Sequence, residues 1–414
     1  IPLPQGGATR RPGTVFVAEA GDHDAKPRLL PFQFSTAQAY VLEAGNGTFR
    51  FFRDRGRIDA AATDAVIVNG DFTADIAGWD DRSGAIAHDA ANGRLSLAAG
   101  GGGNAAHAEQ AVAVTAVAQE HVLRFRVLGA AGDEISLRIG TTSTGAELAD
   151  DVACRTGWHT YAFTPGASPF YVQFRNATGK ILQVDDVSLI DDGPVVLGTP
   201  YGTADLPPLK FAQSADTMWI CSRDHPVYKL TRSGHETWSM TEAAFGDGPW
   251  LAVNATATTL APSATAGTGI TLTASAAAGI NDGEGFSAAD TGRMVRLKHG
   301  SDWGYAVVTA VASPTSATAD VKSDFGATTA VTDWRLGAWS GRTGYPGAVA
   351  FFEQRLCFAG SRHQPQTFWL SQSADFENMR PDDGAGTVED DDALDYTISA
   401  DQVNAIRWMA PGQK

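Results

Sequence analysis

The sequence predicts an all-β protein, built as a β-propeller-like host domain that carries two inserted β-domains. Three separate stretches repeat one pattern of short alternating segments around polar turns, which is typical of propeller blades. Amphipathic runs of helix-forming residues are nearly absent, and 45 glycines among 414 residues separate the short apolar segments. Two further segments depart from this pattern, and a chain of this length exceeds what one core normally serves.

The first host segment, residues 1–65, contains the strongest hairpin signal. Alternating residues run through QAYVLEAG, and the chain returns through TFRFFRDRGRI. Asn46-Gly47 lies between these runs, and this dipeptide favours the left-handed backbone of a two-residue hairpin turn. The segment is therefore predicted to form a β-meander.

The second segment, residues 66–192, predicts a β-sandwich. Alternating runs such as RLSLAAG, HVLRFRVLG and FYVQFRN are spaced by turns rich in Gly, Ala and Thr. The opening VIVNGDF and the closing VDDVSLI resemble the first and last strands of galactose-binding-like jelly rolls in carbohydrate-binding modules. The resemblance implies a structural calcium near those strands, and the alternative is that the same side chains cap turns. The candidate ligands are Asn69, Asp71, Asp185 and Asp186.

Aromatic residues of the same segment are candidates for a sugar-binding platform, because flat apolar rings stack on pyranose faces. The alternative is that their patterning places part of them in the core. The candidates are Trp79, Trp158, Tyr161 and Tyr171.

Two more host segments and a second insertion follow. In residues 193–250, TMWICS and VYKLTRSG flank a polar turn, and in residues 337–414, RLCFAG and QTFWLSQS do the same. Residues 251–336 are rich in Ala, Thr and Ser, as a disordered linker would be. However, GRMVRLKHGSDWGYAVV alternates strictly and WRLGAW closes the segment, so we predict a small β-barrel or sandwich.

An acidic stretch near the end of the sequence has two possible roles. Close-spaced carboxylates suit calcium, but the spacing here is not that of an EF-hand loop, so a solvated or lumen-facing loop is favoured. The candidates are Asp382, Asp383, Glu389, Asp390, Asp391 and Asp392.

The charge and the cysteines restrict the function further. The net charge of −16 argues against a protein that grips nucleic acid, but an acidic wall suits a conduit past which DNA slides. No apolar run approaches the length of a membrane span.

Cys154, Cys221 and Cys357 are predicted to be buried reduced thiols. No histidine stands in a catalytic or zinc-binding context, which predicts a protein that is not an enzyme and needs no cofactor besides possible structural calcium.

Several long blocks resemble the tail nozzle (tail tubular protein B) family of short-tailed bacteriophages. They are GGATRRPGT, the first meander, TPYGTADLPPLKFAQSADTMWICSRDHPVYKLTRSG and GYPGAVAFFEQRLCFAGSRHQPQTFWLSQSADFENM. The resemblance implies a virion ring, usually of six copies, that continues the DNA channel below the adaptor and portal and contacts tail fibres. It also implies assembly in the host cytoplasm, and a longer protein of which this sequence is a part.

Arg10 and Arg11 of the glycine-rich motif are candidates for a subunit or channel contact, or for an arginine-lined turn that pairs with nearby carboxylates.

Two other functions stay open. The chain is alternatively a glycan-binding tail protein that attaches to the host surface, or a tail-associated glycan hydrolase. The second alternative is disfavoured because such enzymes typically show long β-helix repeats.

Overall fold

The computed structural model describes residues 7, 13–35, 38–98, 105–400, 402 and 404–412. Within them the chain forms 31 β-strands, and its only helices are two single 3-10 turns, Asn281–Gly283 and Ala288–Asp290. The predicted fold class is confirmed: the protein is all-β, with a propeller-like arrangement of antiparallel meanders.

The first host segment forms the predicted meander. Its strands are β1 (Arg28–Gln33), β2 (Ala39–Gly45), β3 (Thr48–Arg53), β4 (Gly56–Arg57) and β5 (Asp59–Ala60). Asn46 and Gly47 alone connect β2 to β3, and Gly47 has the positive φ of 69° that this tight turn requires. The predicted Asn-Gly hairpin is therefore confirmed.

The second segment forms two facing sheets. Its strands are β6 (Asp80–Asp81), β7 (Ile86–Asp89), β8 (Arg94–Leu97), β9 (Ala106–Val112), β10 (His121–Leu128), β11 (Glu134–Gly140), β12 (Ala149–Arg155), β13 (Gly157–Phe163), β14 (Phe170–Asn176) and β15 (Leu182–Leu189). One sheet has the order β12-β11-β14-β9-β6, and the other contains β13-β10-β15-β8-β7. Apolar side chains of both sheets, among them Phe125 and Phe174, fill the space between them. We call this unit the sandwich.

The second host segment extends a sheet of the sandwich. Its strands are β16 (Gly193–Pro194), β17 (Val196–Gly198), β18 (Lys210–Ser214), β19 (Thr217–Ser222), β20 (His225–Arg232) and β21 (Trp238–Glu242). Strand β17 pairs with β3, and β18 to β21 form the second predicted meander. Strand β21 then pairs with β13 of the sandwich, so that one sheet of nine strands crosses from host to insertion.

The second insertion forms one strongly curved sheet. Its strands are β22 (Leu260–Pro262), β23 (Ile270–Ala274), β24 (Met294–His299), β25 (Asp302–Ser313), β26 (Ser316–Ser323) and β27 (Trp334–Leu336). Leu260 and Val331 exchange two backbone hydrogen bonds of 2.9 Å, which brings the first edge of the sheet to the chain just before β27. We call this unit the half-barrel.

The last host segment forms a four-stranded meander of β28 (Ala348–Phe352), β29 (Arg355–Ala359), β30 (Thr367–Leu370) and β31 (Leu394–Thr397). It packs on the second meander through Trp219, whose ring centroid lies 5.7 Å from that of Phe351. The predicted thiols Cys154, Cys221 and Cys357 are all free and buried.

Four buried apolar clusters occur in the part of the chain that the structure describes. One belongs to the sandwich (residues 65–187) and one to the half-barrel (residues 260–336). The other two are formed by host residues, to which the sandwich adds Val122. Each insertion therefore has its own core, while the segment boundaries near 65, 192, 250 and 336 stay predictions.

Candidate functional site

The acidic stretch of residues 382–392 is not a uniform surface loop. Asp383, Glu389, Asp390 and Asp391 are exposed, as a solvated loop requires. Asp382 and Asp392 are buried, and for these two the prediction of a solvent-facing or lumen-facing side chain is wrong. Asp392 accepts hydrogen bonds from the Gln372 side chain and the Glu389 backbone N–H, each of 2.8 Å, and so fixes the loop from inside.

Asp382 joins the acidic loop to the half-barrel through a buried arginine. Its two carboxylate oxygens accept hydrogen bonds of 2.7 and 3.2 Å from the guanidinium of Arg296 on β24, which is 1% exposed. Burial raises the pKa of Asp382, but the hydrogen bonds and charge of Arg296 outweigh it and hold this pKa below its ordinary value. A second carboxylate, Asp247 of the host, lies 3.3 Å from the Nε of Arg296.

Aromatic rings complete this joint. The Arg296 guanidinium lies 5.0 Å from the ring centroid of Trp303 and 5.8 Å from that of Trp250. These rings shield the ion pairs from water and add cation–π attraction. Arg296, Asp247 and Asp382 therefore form a dry connection between the half-barrel and the host.

A lysine connects the sandwich to the half-barrel. Lys180, between β14 and β15, places its ammonium 2.8 Å from the carboxylate of Asp133 and 2.7 Å from that of Asp320. Asp133 belongs to the sandwich and Asp320 to the half-barrel. The two insertions are thus in direct contact.

The predicted calcium ligands lie where the opening and closing segments of the sandwich meet, but their carboxylates do not form a cluster. Val187 donates its backbone N–H to Gly70 O at 2.9 Å, so the opening and closing segments of the sandwich are adjacent, as the sequence suggests. Asn69 donates to the carboxylate of Asp75 at 2.7 Å. Asp185 lies 3.8 Å from Arg94, and Asp71 and Asp186 are exposed. Calcium binding stays a prediction.

Within the described residues, one group of three potential metal ligands comes together, namely Asp22, His23 and Asp24. All three side chains are exposed, and such groups are common without a metal.

The four predicted platform aromatics do not share a surface. Trp79 is buried in the sandwich core, where its ring lies 5.6 Å from that of Phe72, so a sugar-binding role for this residue is wrong. Trp158 is half-buried under the guanidinium of Arg126, which lies 4.5 Å from its ring centroid. Tyr161 is on β13 and Tyr171 is on β14, which belong to opposite sheets. A platform made by these four residues together is therefore excluded.

An exposed apolar face covers the first meander and the arm that precedes it, residues 13–20. Val15 is 81%, Phe16 77% and Leu29 64% exposed. Side chains of the arm and of strands β1 to β3, including Val17 and Leu29, line one groove of about 670 Å³. Contiguous apolar surface of this kind marks sites of protein interaction. We call it the apolar face. Arg10 and Arg11, the predicted contact residues, lie outside the described residues.

The residues of the two joints were missed by sequence reasoning. Arg296 and Lys180 lie among many other charged residues, and their partners are distant in sequence. Trp250 and Trp303 were a usable signal for the joint at Arg296, because aromatic rings often cover buried arginines.

Comparison with known proteins gives no assignment. The sequence matches no protein-family model and no curated protein. In the part of the chain that the structure describes, no helix is long and apolar enough to cross a bilayer. The geometry defines an all-β protein with two braced insertions and an apolar face, and the tail nozzle resemblance stays a prediction.

Proposed function

We propose that this protein is a structural component of a bacteriophage tail. In this role, copies of the chain form a nozzle ring that continues the DNA channel below the adaptor and portal and supports genome retention and ejection. The proposal starts from the sequence blocks that resemble the tail nozzle family. The structural observation that carries it is the apolar face, which we assign to the contact between neighbouring copies.

Exposure and position both support this assignment. Val15, Phe16 and Leu29 are left exposed by the described residues, and burial of such side chains stabilises an interface by about 1.5–3 kcal/mol each. Strand β1 lies at the edge of its sheet, where free backbone groups favour pairing with another chain. The predicted contact residues Arg10 and Arg11 also precede the same arm in sequence.

The braced insertions and the acidic charge fit the same role. A ring under internal pressure from DNA needs units that keep their relative positions, and the joints at Arg296 and Lys180 link all three units of the chain. The net charge of −16 disfavours tight binding of phosphates, so DNA slides past instead of being held.

Negative-stain electron microscopy and mass photometry of the purified protein test the proposal. We expect closed rings, with six copies as the leading count, and loss of rings in Leu29→Asp. Ile181→Asp is the matched control, because Ile181 is 67% exposed on the sandwich, away from the apolar face. Monomers at all concentrations, or equal loss of rings in both variants, contradict the proposal.

A further inference from the structure

A cavity of about 300 Å³ lies where the sandwich, the host and the half-barrel meet. The sandwich contributes Gly132, the half-barrel contributes Tyr305 and Lys322, and the host contributes Glu242 and Tyr345. The volume is at the small end of ligand-binding sites, so it suits a molecule of a few heavy atoms. Because three units form its walls, the cavity is complete only when all three are in place.

Glu242 is the acidic group of this cavity, and among the described residues it forms no ion pair. It is the last residue of β21, directly opposite Tyr228 on β20. Its carboxylate also forms no side-chain hydrogen bond among the described residues, and Lys322, the basic residue that lines the cavity, is exposed. Burial raises the pKa of Glu242 to about 7. A partly buried carboxylate without a partner is costly, and a bound cation removes that cost.

Aromatic side chains form much of the remaining wall. Phe245, Tyr305, Trp339 and Tyr345 all line the cavity, and the rings of Phe245 and Trp339 pack edge to face at 5.1 Å. Burial, together with the charge of Glu242, raises the pKa of Tyr345 to about 12, so its hydroxyl stays protonated. The combination of aromatic rings and one carboxylate is what recognises organic cations.

We propose that this cavity binds a small organic ammonium ion, whose charge pairs with the Glu242 carboxylate while its carbon atoms pack on Trp339 and Tyr345. A calcium ion is disfavoured, because it requires six to eight oxygen ligands. An anion is disfavoured by the carboxylate itself. The proposal goes beyond the proposed function, because it requires only the folded chain and no ring.

Isothermal titration calorimetry with the whole protein at pH 8 tests the site. The probes are tetramethylammonium chloride and 1,4-diaminobutane dihydrochloride, and sodium chloride of equal ionic strength is the blank. We expect saturable binding of at least one probe with one site per chain. Tetramethylammonium binding alone indicates cation–π recognition, and diamine binding alone indicates recognition through N–H donors.

The variant Glu242→Gln removes the charge but keeps the shape, and we expect it to weaken binding at least tenfold. Glu236→Gln is the matched control, because Glu236 is also partly buried, has a pKa raised by burial, and lies outside the cavity. Lowering the pH from 8 to 6 protonates Glu242 and weakens binding by about tenfold. Absence of saturable binding for both probes, or equal affinity in Glu242→Gln and the unmodified protein, overturns the proposal.

Discussion

The sandwich and the half-barrel are both inserted into the host, but they are attached by different physical means. The sandwich continues a host sheet through three residue pairs between β13 and β21. In the described residues, no strand of the half-barrel pairs with a host blade. Its connection is made by the buried ion pairs of Arg296, by the exposed pair of Glu284 with Arg342, and by single backbone bonds such as that from Trp303 to Gly384. Backbone pairing distributes the attachment of the sandwich over many atoms. In the half-barrel, the buried ion pairs of the attachment depend on one side chain, that of Arg296.

The largest effect is expected where the attachment is concentrated. Arg296→Ala removes the cation that pairs directly with the buried Asp247 and Asp382, so we expect the free energy of unfolding to fall by about 3–5 kcal/mol. Urea denaturation followed by tryptophan fluorescence measures the change. Arg342→Ala is the control, because Arg342 pairs with the exposed Glu284 and its loss costs about 1 kcal/mol or less. Equal costs in the two variants contradict a special role for the joint.

The stability of the folded chain is expected to depend on pH through Glu242, at the end of β21. Burial raises the pKa of Glu242 to about 7 in the folded chain, from an ordinary value of 4.5. The unfolded state therefore loses its proton first as the pH rises. The free energy of unfolding falls between about pH 4.5 and pH 7, by at most about 3 kcal/mol, and is regained on acidification.

Comparison with Glu242→Gln isolates this effect from the other titrating groups. Thermal unfolding at several pH values between 4.5 and 8 gives the difference between the two proteins. We expect the variant to gain stability relative to the unmodified protein as the pH rises. A difference that does not change with pH shows that Glu242 titrates near its ordinary value.

The pairing of β13 with β21 is expected to tolerate most side-chain changes, but not a substitution that keeps the two backbones apart. At Gly157, an added Cβ would lie 2.1 Å from Met240 O, so Gly157→Ala pushes the strands apart at a cost of about 1–3 kcal/mol. Hydrogen exchange of the β21 amides is expected to accelerate. Gly166→Ala is the control, because Gly166 also has a positive φ but nothing lies within 4 Å of an added Cβ. Similar exchange in both variants rules out the steric explanation.

The smallest effect is expected at the bridge between the two insertions. Lys180→Met removes the cation shared by Asp133 and Asp320, and we expect a loss of about 1 kcal/mol that shrinks as salt is added. Urea denaturation at 0.05 M and 1 M sodium chloride measures it. Arg362→Met, which breaks the exposed pair with Asp224, is expected to change stability less. A loss that does not depend on salt contradicts an electrostatic bridge.

The sequence was informative wherever structure is local. The hairpin at Asn46-Gly47 and the alternating strands of both insertions follow from turn chemistry and from the two-residue period of a strand. The seam between β13 and β21 was not predictable, because alternation shows that Trp158 is in a strand but not that its partner is Met240. Asp382 and Asp383 are adjacent and of one type, yet only Asp382 meets a buried arginine. Distant partners, which no local pattern encodes, decide such cases.

The half-barrel leaves the host and returns to it at one point. Leu251 donates its backbone N–H to Leu336 O at 2.8 Å, so the two ends of the insertion are hydrogen-bonded neighbours. A short turn can therefore span the gap in the host backbone, although removal of the unit also removes Arg296, the partner of Asp247 and Asp382. The sandwich cannot be exchanged in this way, since its removal also removes β13 from the shared sheet. Natural variants of this architecture are therefore expected to exchange or lose the half-barrel more readily than the sandwich.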